Sequence, residues 1–427
     1  MKVAFCTLGC KVNQYESQSM EQALIKCGFE CVGASEEADV YIVNSCTVTA
    51  ESDRKTRQNV RHLRKLHPDA VIVLTGCMPQ AFPEDARLLT QADIVTGNRS
   101  NKQIPDMIDE FFRTRERIVR ISQHENGEKF SGELINDFRE RTRATVKIED
   151  GCNRFCSYCV IPYARGRVRS KPLEDIREEI SSLEKKGFSE IVLVGINLSA
   201  YGTDCGASIC DAVELAASFD GIKRVRLGSL EPDHMTPEVT KRLAECKKLC
   251  PQFHISLQSG CDKTLKRMNR HYTAAEYEEL CTRLRSEFED ATLTTDVMVG
   301  FSGETKEDFE ISRDFVRKIG FEKVHVFPYS RRAGTRAAEF PDVVENAEKE
   351  RRSREMIAAA GEVRHEFLER QIGRKVEVLF EEKLRDGSIQ GYTANYTPVR
   401  IKSGCTHGLH KVKIIACGDD WCEGELI

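Results

Sequence analysis

Three cysteines, Cys152, Cys156 and Cys159, follow the apolar run Ala144–Ile148 in the pattern C-x3-C-x2-C, which places them on a tight loop. Thiolates are the ligands of iron–sulfur clusters, and a four-iron cluster ordinarily takes four of them. Three cysteines in one loop hold three irons and leave the fourth open to a small molecule. Zinc is the alternative, but structural zinc sites pair C-x2-4-C with a second pair, and no fourth ligand stands nearby. The spacing therefore favours an iron–sulfur cluster.

Length and composition indicate a soluble protein of several domains. The 427 residues predict two or three domains, and 40 % hydrophobic with 31 % charged residues is typical of globular chains. No apolar run approaches the roughly 20 residues of a membrane span, and Met1–Phe5 resembles a strand more than a signal peptide. We therefore expect a cytoplasmic protein. Disulfides are rare in the cytoplasm, so the 18 cysteines indicate metal or redox chemistry.

Strand and helix patterns alternate through residues 1–112, which predicts a doubly wound parallel sheet. The predicted strands are Val3–Cys6, Val40–Asn44, Val71–Thr75 and Ile94–Thr96. Cys10, Cys46 and Cys77 each follow the carboxyl end of a strand, the edge of an open α/β sheet where ligands collect. Cysteine is also a common buried residue, but the shared edge favours a second metal centre.

After a charged stretch at 113–143 that we interpret as a linker, the strand–helix rhythm returns with a longer period. The predicted strands are Ala144–Ile148, Ile191–Gly195, Val225–Ser229, His254–Gln258, Leu293–Val299 and Val324–Phe327. Six such units predict a partial (β/α)6 barrel, whose functional groups lie on loops at the carboxyl ends of the strands. A charged helix over Val343–Glu369 then leads to residues 372–427, where five short strands with glycine turns predict a small antiparallel β-barrel.

These motifs resemble the methylthiotransferase family of radical S-adenosylmethionine enzymes over essentially the whole chain. The matching blocks are Gly9–Gln14, Asn44–Thr47, Leu74–Cys77, Cys152–Cys159, Gly195–Asn197, Leu227–Pro232, His254–Gly260 and Asp296–Thr305. The resemblance implies an α/β chain with an N-terminal auxiliary-cluster domain at 1–125, a radical S-adenosylmethionine domain at 138–370 and a C-terminal TRAM domain at 371–427.

The resemblance also implies two 4Fe-4S clusters and S-adenosylmethionine as cofactors. The six candidate catalytic and metal-ligating residues are a radical trio, Cys152, Cys156 and Cys159, and an auxiliary trio, Cys10, Cys46 and Cys77. In the family, the radical cluster cleaves S-adenosylmethionine to a 5′-deoxyadenosyl radical. The auxiliary cluster presents sulfur, and a second S-adenosylmethionine provides the methyl group. A reducing electron donor such as flavodoxin or ferredoxin is an implied partner.

The opening Gly9–Glu16 is similar to the family branch that acts on tRNA carrying threonylcarbamoyladenosine. That branch methylthiolates C2 of N6-threonylcarbamoyladenosine, on the 3′ side of the anticodon. Other branches act on isopentenyladenosine in tRNA or on an aspartate of a ribosomal protein, and both remain alternatives. So does a different class, an iron–sulfur RNA-binding or redox-sensing protein. Ser302 and the segment Ser330–Thr335 stand where prolines are usual, which loosens two loops without removing a ligand.

Three residues in the matching blocks are candidate contacts of S-adenosylmethionine: Tyr158, Asn197 and Gln258. Structural roles weigh about evenly against this interpretation, since Asn197 could cap a turn and Gln258 could satisfy backbone groups at a strand end. Arg270 and Asp296 lie in matching blocks too, and buried salt bridges explain them almost as well.

RNA contacts must come from local patches, because the formal net charge of the chain is −4. The segment Arg139–Lys171 surrounds the radical trio with nine Lys and Arg against three acidic residues, and is the first candidate. Arg54–Lys65 adds six basic residues on a predicted helix, where a solvated face is an equal alternative. Residues 372–427 are balanced in charge, so recognition there would rest on shape and on Tyr392, Tyr396 and Trp421.

Overall fold

The computed structural model describes residues 1–132, 134–135, 142–402, 404 and 408–427. Within these ranges the chain forms a six-stranded parallel sheet, two further parallel sheets and a closed five-stranded barrel. Four short 3-10 helices lie at Asn98–Gln103, Leu198–Ala200, Pro232–His234 and Arg336–Glu339. None of the described helices is both long enough and apolar enough to traverse a bilayer.

The N-terminal unit is a doubly wound sheet, as the strand–helix alternation predicts. Its strands are β1 (Lys2–Thr7), β2 (Glu30–Val32), β3 (Val40–Ser45), β4 (Val71–Gly76), β5 (Ile94–Thr96) and β6 (Ile118–Arg120). Its helices are α1 (Lys11–Lys26), α2 (Ala50–Leu66), α3 (Cys77–Ala81), α4 (Pro83–Arg87) and α5 (Ile104–Thr114). All strands are parallel in the order β2-β1-β3-β4-β5-β6, and apolar clusters cover both faces of the sheet.

The central unit is a partial barrel with its helices outside. Its strands are β7 (Arg143–Lys147), β8 (Glu149–Asp150), β9 (Arg169–Ser170), β10 (Glu190–Val194), β11 (Arg224–Leu227), β12 (Ser229–Leu230), β13 (Gln252–Ile255), β14 (Thr292–Val299) and β15 (Lys323–Pro328). Its helices are α6 (Ile161–Arg165), α7 (Leu173–Lys185), α8 (Ile209–Ala217), α9 (Pro237–Glu245), α10 (Asp262–Arg267), α11 (Ala274–Glu287), α12 (Lys306–Ile319) and α13 (Asn346–Glu369).

Two parallel sheets, ordered β7-β10-β11 and β12-β13-β14-β15, make up the barrel wall. Only Gly228 separates β11 from β12, so the wall has six strand positions and the predicted (β/α)6 barrel is confirmed. Capping boxes start α11 at Thr273 and α12 at Thr305, as their sequences predict. Each cap contributes about 1 kcal/mol to helix stability.

The C-terminal unit is a closed barrel ordered β16-β17-β18-β20-β19. Its strands are β16 (Lys375–Lys383), β17 (Ile389–Thr393), β18 (Pro398–Ile401), β19 (Gly408–Cys417) and β20 (Cys422–Leu426). The five strands match the prediction, with one difference: β18 and β20 pair in parallel, so the barrel is not wholly antiparallel. Closing the ring satisfies the hydrogen-bonding groups that edge strands leave open.

This small barrel is docked against the amino-terminal ends of the central strands. Arg226 on β11 donates a hydrogen bond to the carbonyl oxygen of Ala394 at 3.1 Å, and Thr292 at the start of β14 donates to that of Asn395 at 2.6 Å. The cysteine-bearing loop follows the opposite ends of the strands. The C-terminal barrel therefore lies at the far end of the central barrel from the radical trio.

Two sequence-based assignments need correction. The linker predicted at 113–143 is partly regular structure, since α5 extends to Thr114, β6 adds a sixth strand and β7 begins at Arg143. A three-residue strand between charged residues is too short to show periodicity. The strand predicted at His254–Gln258 ends at Ile255, because the backbone turns there and Gln258 adopts a φ of +65°. The domain boundaries at 125, 138 and 370 stay predictions.

Candidate active site

The auxiliary trio lies where the strand order of the N-terminal sheet reverses. Cys10 follows β1, Cys46 follows β3 and Cys77 follows β4, and these three strands are adjacent in the sheet. Helices leave in opposite directions at such a switch point, which opens a crevice outside the carboxyl ends of the strands. The fold therefore brings together three cysteines that are separated by tens of residues in the chain.

Close backbone packing holds the first two of these cysteines together. Gly9 has a φ of +111°, and a Cβ atom there would lie 2.8 Å from Cβ of Cys46, so only glycine fits without displacement. The Cys10 thiol lies 3.2 Å from Oδ1 of Asn13, whose amide nitrogen donates to the backbone oxygen of Ser45 at 3.0 Å. Asn13 thus links the loops that carry Cys10 and Cys46.

The radical trio lies on a loop closed by a two-stranded stalk. Strands β8 and β9 pair antiparallel, so residues 151–168 leave the barrel wall and return beside their starting point. Gly151 has a φ of +91°, and any side chain there would collide with the backbone of Arg167. Within the loop, the amide of Cys159 donates to the carbonyl oxygen of Cys156 at 3.0 Å. The loop that carries the radical trio therefore lies at the carboxyl-terminal face of the barrel, held by these backbone contacts.

Burial disfavours the thiolate form at both trios. It raises the pKa of Cys77 to about 12, against the opposing charge of Arg165, and the pKa of Cys152 to about 12. Burial likewise raises the pKa of Cys46 and Cys159. Uncomplexed thiols in these positions hold their protons at neutral pH, whereas metal coordination removes the proton outright.

One buried arginine approaches each trio. Nε of Arg165 lies 3.3 Å from Sγ of Cys77, and its guanidinium pairs with both carboxylate oxygens of Glu16. Nη1 of Arg270 lies 3.3 Å from Sγ of Cys156, and the same guanidinium pairs with Glu231. Arg165 comes from α6, directly after the radical trio, so this side chain connects the segment bearing one trio to a cysteine of the other.

A cavity of about 160 Å³ lies between the two units. Val48 and Thr49, which follow Cys46, form one side, and Cys159 of the radical trio forms part of the other. Further lining residues are Tyr158, Val160, Ile161, Gln258, Asp296, Met298, Phe327, Pro328 and Ser330. The walls are mostly apolar with a few polar groups, which is the usual composition of a small-molecule site.

The structure brings all three candidate contacts of S-adenosylmethionine close to the radical trio. Tyr158 and Gln258 line the cavity, and Nδ2 of Asn197 lies 3.8 Å from Sγ of Cys152. Oε1 of Gln258 is buried and has no hydrogen-bond partner among the described residues. A buried amide oxygen without a partner on a cavity wall fits a polar ligand. Their role as cofactor contacts remains a prediction.

Arg270 forms the ion pair that its alternative interpretation predicts, and the partly exposed carboxylate of Asp296 contacts a histidine. Arg270 pairs with Glu231, and Oδ2 of Asp296 lies 3.3 Å from Nε2 of His254. Both residues also reach the site, because Arg270 contacts Cys156 and Asp296 lines the cavity. These contacts and a place at the site are therefore compatible for both residues.

The loop Ser330–Thr335 is anchored despite its missing prolines. Arg332 is 5 % exposed, and its Nη2 lies 2.5 Å from Oδ2 of Asp53 and 2.9 Å from the hydroxyl of Thr47. Ser330 accepts a hydrogen bond from the amide of Ala50 at 3.0 Å. A buried ion pair to the segment after Cys46 thus restrains this loop, and sequence reasoning gave no sign of it.

The donor set of each trio suits a four-iron cluster with one open corner. All six cysteines are free thiols, and each trio offers three of them. Across the described ranges, no group of three or more His, Cys, Asp and Glu side chains is arranged to hold one metal ion. The polar groups nearest the radical trio, such as Asn197 and Gln258, could hold an organic cofactor at its open corner.

The basic patch predicted at Arg139–Lys171 is largely buried in the part of it that the structure describes. Lys147, Arg165, Arg169 and Lys171 are buried, and each pairs with a carboxylate. Only Arg167 among the patch residues that the structure describes is exposed, and Arg139 and Arg141 lie outside that part of the chain. Lys147 and Arg165 pair with Glu16 of α1 and so serve the interface between that helix and the central barrel. Counting basic residues along the segment reveals its charge but not its ion-pair partner Glu16, which lies far away in the chain.

The aromatic residues predicted as an RNA platform in the C-terminal barrel are half-buried and make contacts within the fold. The rings of Tyr392 and Tyr396 stack on each other at 4.4 Å between centroids, and the guanidiniums of Arg143 and Arg226 lie over Tyr396 at 5.1 and 4.6 Å. Trp421 lies under Arg400 at 4.6 Å. Arginines of the central barrel therefore make cation–π contacts with the tyrosine pair, which is half-buried.

Family comparisons agree with the two halves of this architecture. Residues 146–316 match the radical SAM superfamily, and residues 2–97 match the uncharacterized protein family UPF0004. The first range contains the radical trio and the second contains the auxiliary trio.

Similar proteins span the whole chain. The threonylcarbamoyladenosine tRNA methylthiotransferase MtaB of Bacillus subtilis is 35 % identical over 100 % of this chain and 96 % of its own. The protein of the same name from Thermotoga maritima is 37 % identical over 98 % of each chain. A tRNA-2-methylthio-N(6)-dimethylallyladenosine synthase from Pelotomaculum thermopropionicum is 36 % identical over 91 % of this chain and 88 % of its own.

Among solved structures, the radical S-adenosylmethionine methyltransferase TsrM from Kitasatospora setae, with cobalamin and a [4Fe-4S] cluster bound, superimposes with a TM-score of 0.59. The match covers 79 % of this chain and 76 % of that one at 15 % identity, which supports the fold alone. Full-length sequence similarity, two matching family models and a radical SAM fold lead to one assignment. The chain belongs to the methylthiotransferase family of radical S-adenosylmethionine enzymes.

Proposed function

We propose that this enzyme methylthiolates C2 of N6-threonylcarbamoyladenosine in tRNA, next to the anticodon on its 3′ side. The product is 2-methylthio-N6-threonylcarbamoyladenosine. The observation that carries the proposal is one cavity with Cys159 of the radical trio on one side and, on the other, Val48 and Thr49, which follow Cys46 of the auxiliary trio. The opening Gly9–Glu16 and the full-length similarity to two threonylcarbamoyladenosine methylthiotransferases support the choice of substrate.

Enzymes of this family use 4Fe-4S clusters and S-adenosylmethionine, and we assign the clusters to the two trios. Cys152, Cys156 and Cys159 would hold the radical cluster, and the auxiliary trio would hold the second. When bound, these cofactors supply the radical cleavage, the sulfur and the methyl group, which no side chain can provide. A reducing electron donor such as flavodoxin or ferredoxin is the proposed partner, and the tRNA substrate implies work in the cytoplasm.

The protein itself binds and orients the cofactor and the substrate, and it excludes water from the cavity. Tyr158, Asn197 and Gln258 would position S-adenosylmethionine at the radical trio, because they lie around it and offer a hydroxyl and two amides. Met298 and Phe327 would pack against the flat ring of the target adenine of the tRNA. Their apolar surfaces would also keep water out of the cavity. Arg165 and Arg332 would hold the two units in register, since both make buried ion pairs across their interface.

Mass spectrometry of tRNA nucleosides from a strain without this protein tests the proposal. We expect loss of 2-methylthio-N6-threonylcarbamoyladenosine and accumulation of its precursor, with both reversed when the gene is restored. A strain expressing Cys152→Ala is the matched control and should behave like the deletion. Unchanged nucleosides would contradict the proposal.

A second substrate has a specific observation in its favour. The dimethylallyladenosine synthase from Pelotomaculum thermopropionicum is about as similar to this chain as the threonylcarbamoyladenosine enzymes are. Isopentenyladenosine in tRNA is therefore the second candidate. The same nucleoside analysis separates the two, because loss of the methylthio derivative of isopentenyladenosine alone would favour the second substrate.

A further inference from the structure

Helix α2 carries an exposed stripe of basic side chains. Arg54, Arg61 and Lys65 lie along one face of the helix with the neutral Gln58 between the first two, and Lys55 lies beside them. Arg54, Arg61 and Lys65 are exposed, and so is Lys55. The stripe from residue 54 to residue 65 is roughly 16 Å long at the usual rise per residue.

Most of these charges lack a counter-ion. Glu51 pairs with Arg54, but Lys55, Arg61 and Lys65 form no ion pair within the ranges that the structure describes. This contrasts with the segment Arg139–Lys171, whose described cations are mostly buried in pairs. On a chain with a net charge of −4, an unpaired basic stripe is a local feature that a polyanion can use.

The stripe begins at the cavity. Thr49 lines the cavity and also caps α2, accepting a hydrogen bond from the amide of Ser52 at 3.1 Å. Ser330, another lining residue, accepts from the amide of Ala50. Arg331 is exposed on the same loop as Ser330, and Arg336 is exposed at the start of the 3-10 helix that follows it. A basic surface thus extends from the opening between the two trios along the N-terminal unit.

We propose that the basic surface formed by Lys55, Arg61, Lys65, Arg331 and Arg336 binds the phosphate backbone of the RNA stem whose loop delivers the target base into the cavity. The inference rests on the proposed function and adds where the RNA docks. A rigid helix with cations at regular intervals matches the regular phosphates of a stem, while the target base in the loop is free to leave its neighbours. The sequence favoured another patch, Arg139–Lys171, and in the part of the chain that the structure describes four of its cations are buried in ion pairs.

Binding of a synthetic anticodon stem–loop that contains threonylcarbamoyladenosine tests the surface. The test variant is Lys55→Ala with Arg61→Ala and Lys65→Ala. The control, Lys185→Ala with Lys223→Ala and Lys247→Ala, removes the same charge from exposed residues at the other end of the central barrel. We expect the Kd of the test variant to rise on the order of a hundredfold near 0.15 M salt. The slope of the logarithm of the association constant against the logarithm of the salt concentration should become smaller in magnitude by about two to three.

The control should keep both the wild-type Kd, within about twofold, and its slope. Both variants should keep the wild-type melting curve and RNA-independent formation of 5′-deoxyadenosine, because all six substituted lysines and arginines are exposed. A test variant with wild-type Kd and slope would overturn the inference, as would equal losses in both variants. Such a result leaves the proposed function intact if wild-type enzyme still forms the methylthio product. If the test variant loses RNA binding as expected but wild-type enzyme forms no methylthio product, the proposed substrate is wrong and the proposed RNA-binding surface stands.

Discussion

We expect alanine at any residue of the radical trio to abolish formation of 5′-deoxyadenosine, and alanine at any residue of the auxiliary trio to preserve it and stop methylthiolation. The reason is the separation of the two sites: Cys152, Cys156 and Cys159 share one loop of the barrel, and the auxiliary trio lies on a different sheet. A two-ligand site no longer holds a cluster with one defined open corner. Both products are measured by mass spectrometry in anaerobic assays with purified enzyme and tRNA.

Cys205→Ala is the matched control, because this cysteine is exposed on a turn of the barrel and belongs to neither trio. It should keep both activities. Full methylthiolation by any auxiliary-trio variant would show that the second cluster site is assigned wrongly. Loss of 5′-deoxyadenosine in the auxiliary variants, with their folding intact, would contradict the division of labour between the trios.

Replacing Arg165 by methionine destabilises the interface between the N-terminal sheet and the barrel by about 3–5 kcal/mol. Arg165 is fully buried, and its removal leaves the Glu16 carboxylate with Lys147 as its remaining cation. The variant also loses the hydrogen bond to Cys77. Hydrogen bonds to cluster sulfurs and nearby positive charge favour the reduced state, so the reduction potential of the auxiliary cluster should become more negative.

Urea unfolding of the apoprotein measures the first effect, and a redox titration followed by electron paramagnetic resonance measures the second. Arg167→Met is the control, because Arg167 is exposed in the same segment. Adding Glu16→Gln to Arg165→Met should recover at least half of the lost stability, since Lys147 keeps Asp150 as its partner. A single variant as stable as wild type, with an unchanged potential, would contradict the role assigned to Arg165.

Local patterns in the sequence predict most of the fold. Strands β3, β4, β5 and β14 fall within one or two residues of their predicted bounds, because buried parallel strands are continuous β-branched runs between turns. The capping residues Thr273 and Thr305 mark their helices correctly. The six cysteines stand beside strand ends in the sequence, and the parallel sheet order then brings the auxiliary trio to one edge.

Contacts between distant segments could not be predicted from one sequence. From the sequence alone, Arg165 would be assigned to the surface, whereas the fold places Glu16 beside it. The sequence likewise does not predict that Arg332 pairs with Asp53. The sequence of Tyr392 and Tyr396 does not show that Arg226 of the central barrel lies over the second ring. In each case the decisive partner lies more than a hundred residues away, where local periodicity carries no information.

Iron and acid-labile sulfide per chain, measured after anaerobic reconstitution, test the central claim most directly. Two three-cysteine sites that each hold a four-iron cluster predict about eight irons and about eight sulfides per chain, falling to about half when either trio is replaced by alanine. Four or fewer irons in the wild-type protein, or a count that no trio variant lowers, would contradict the account.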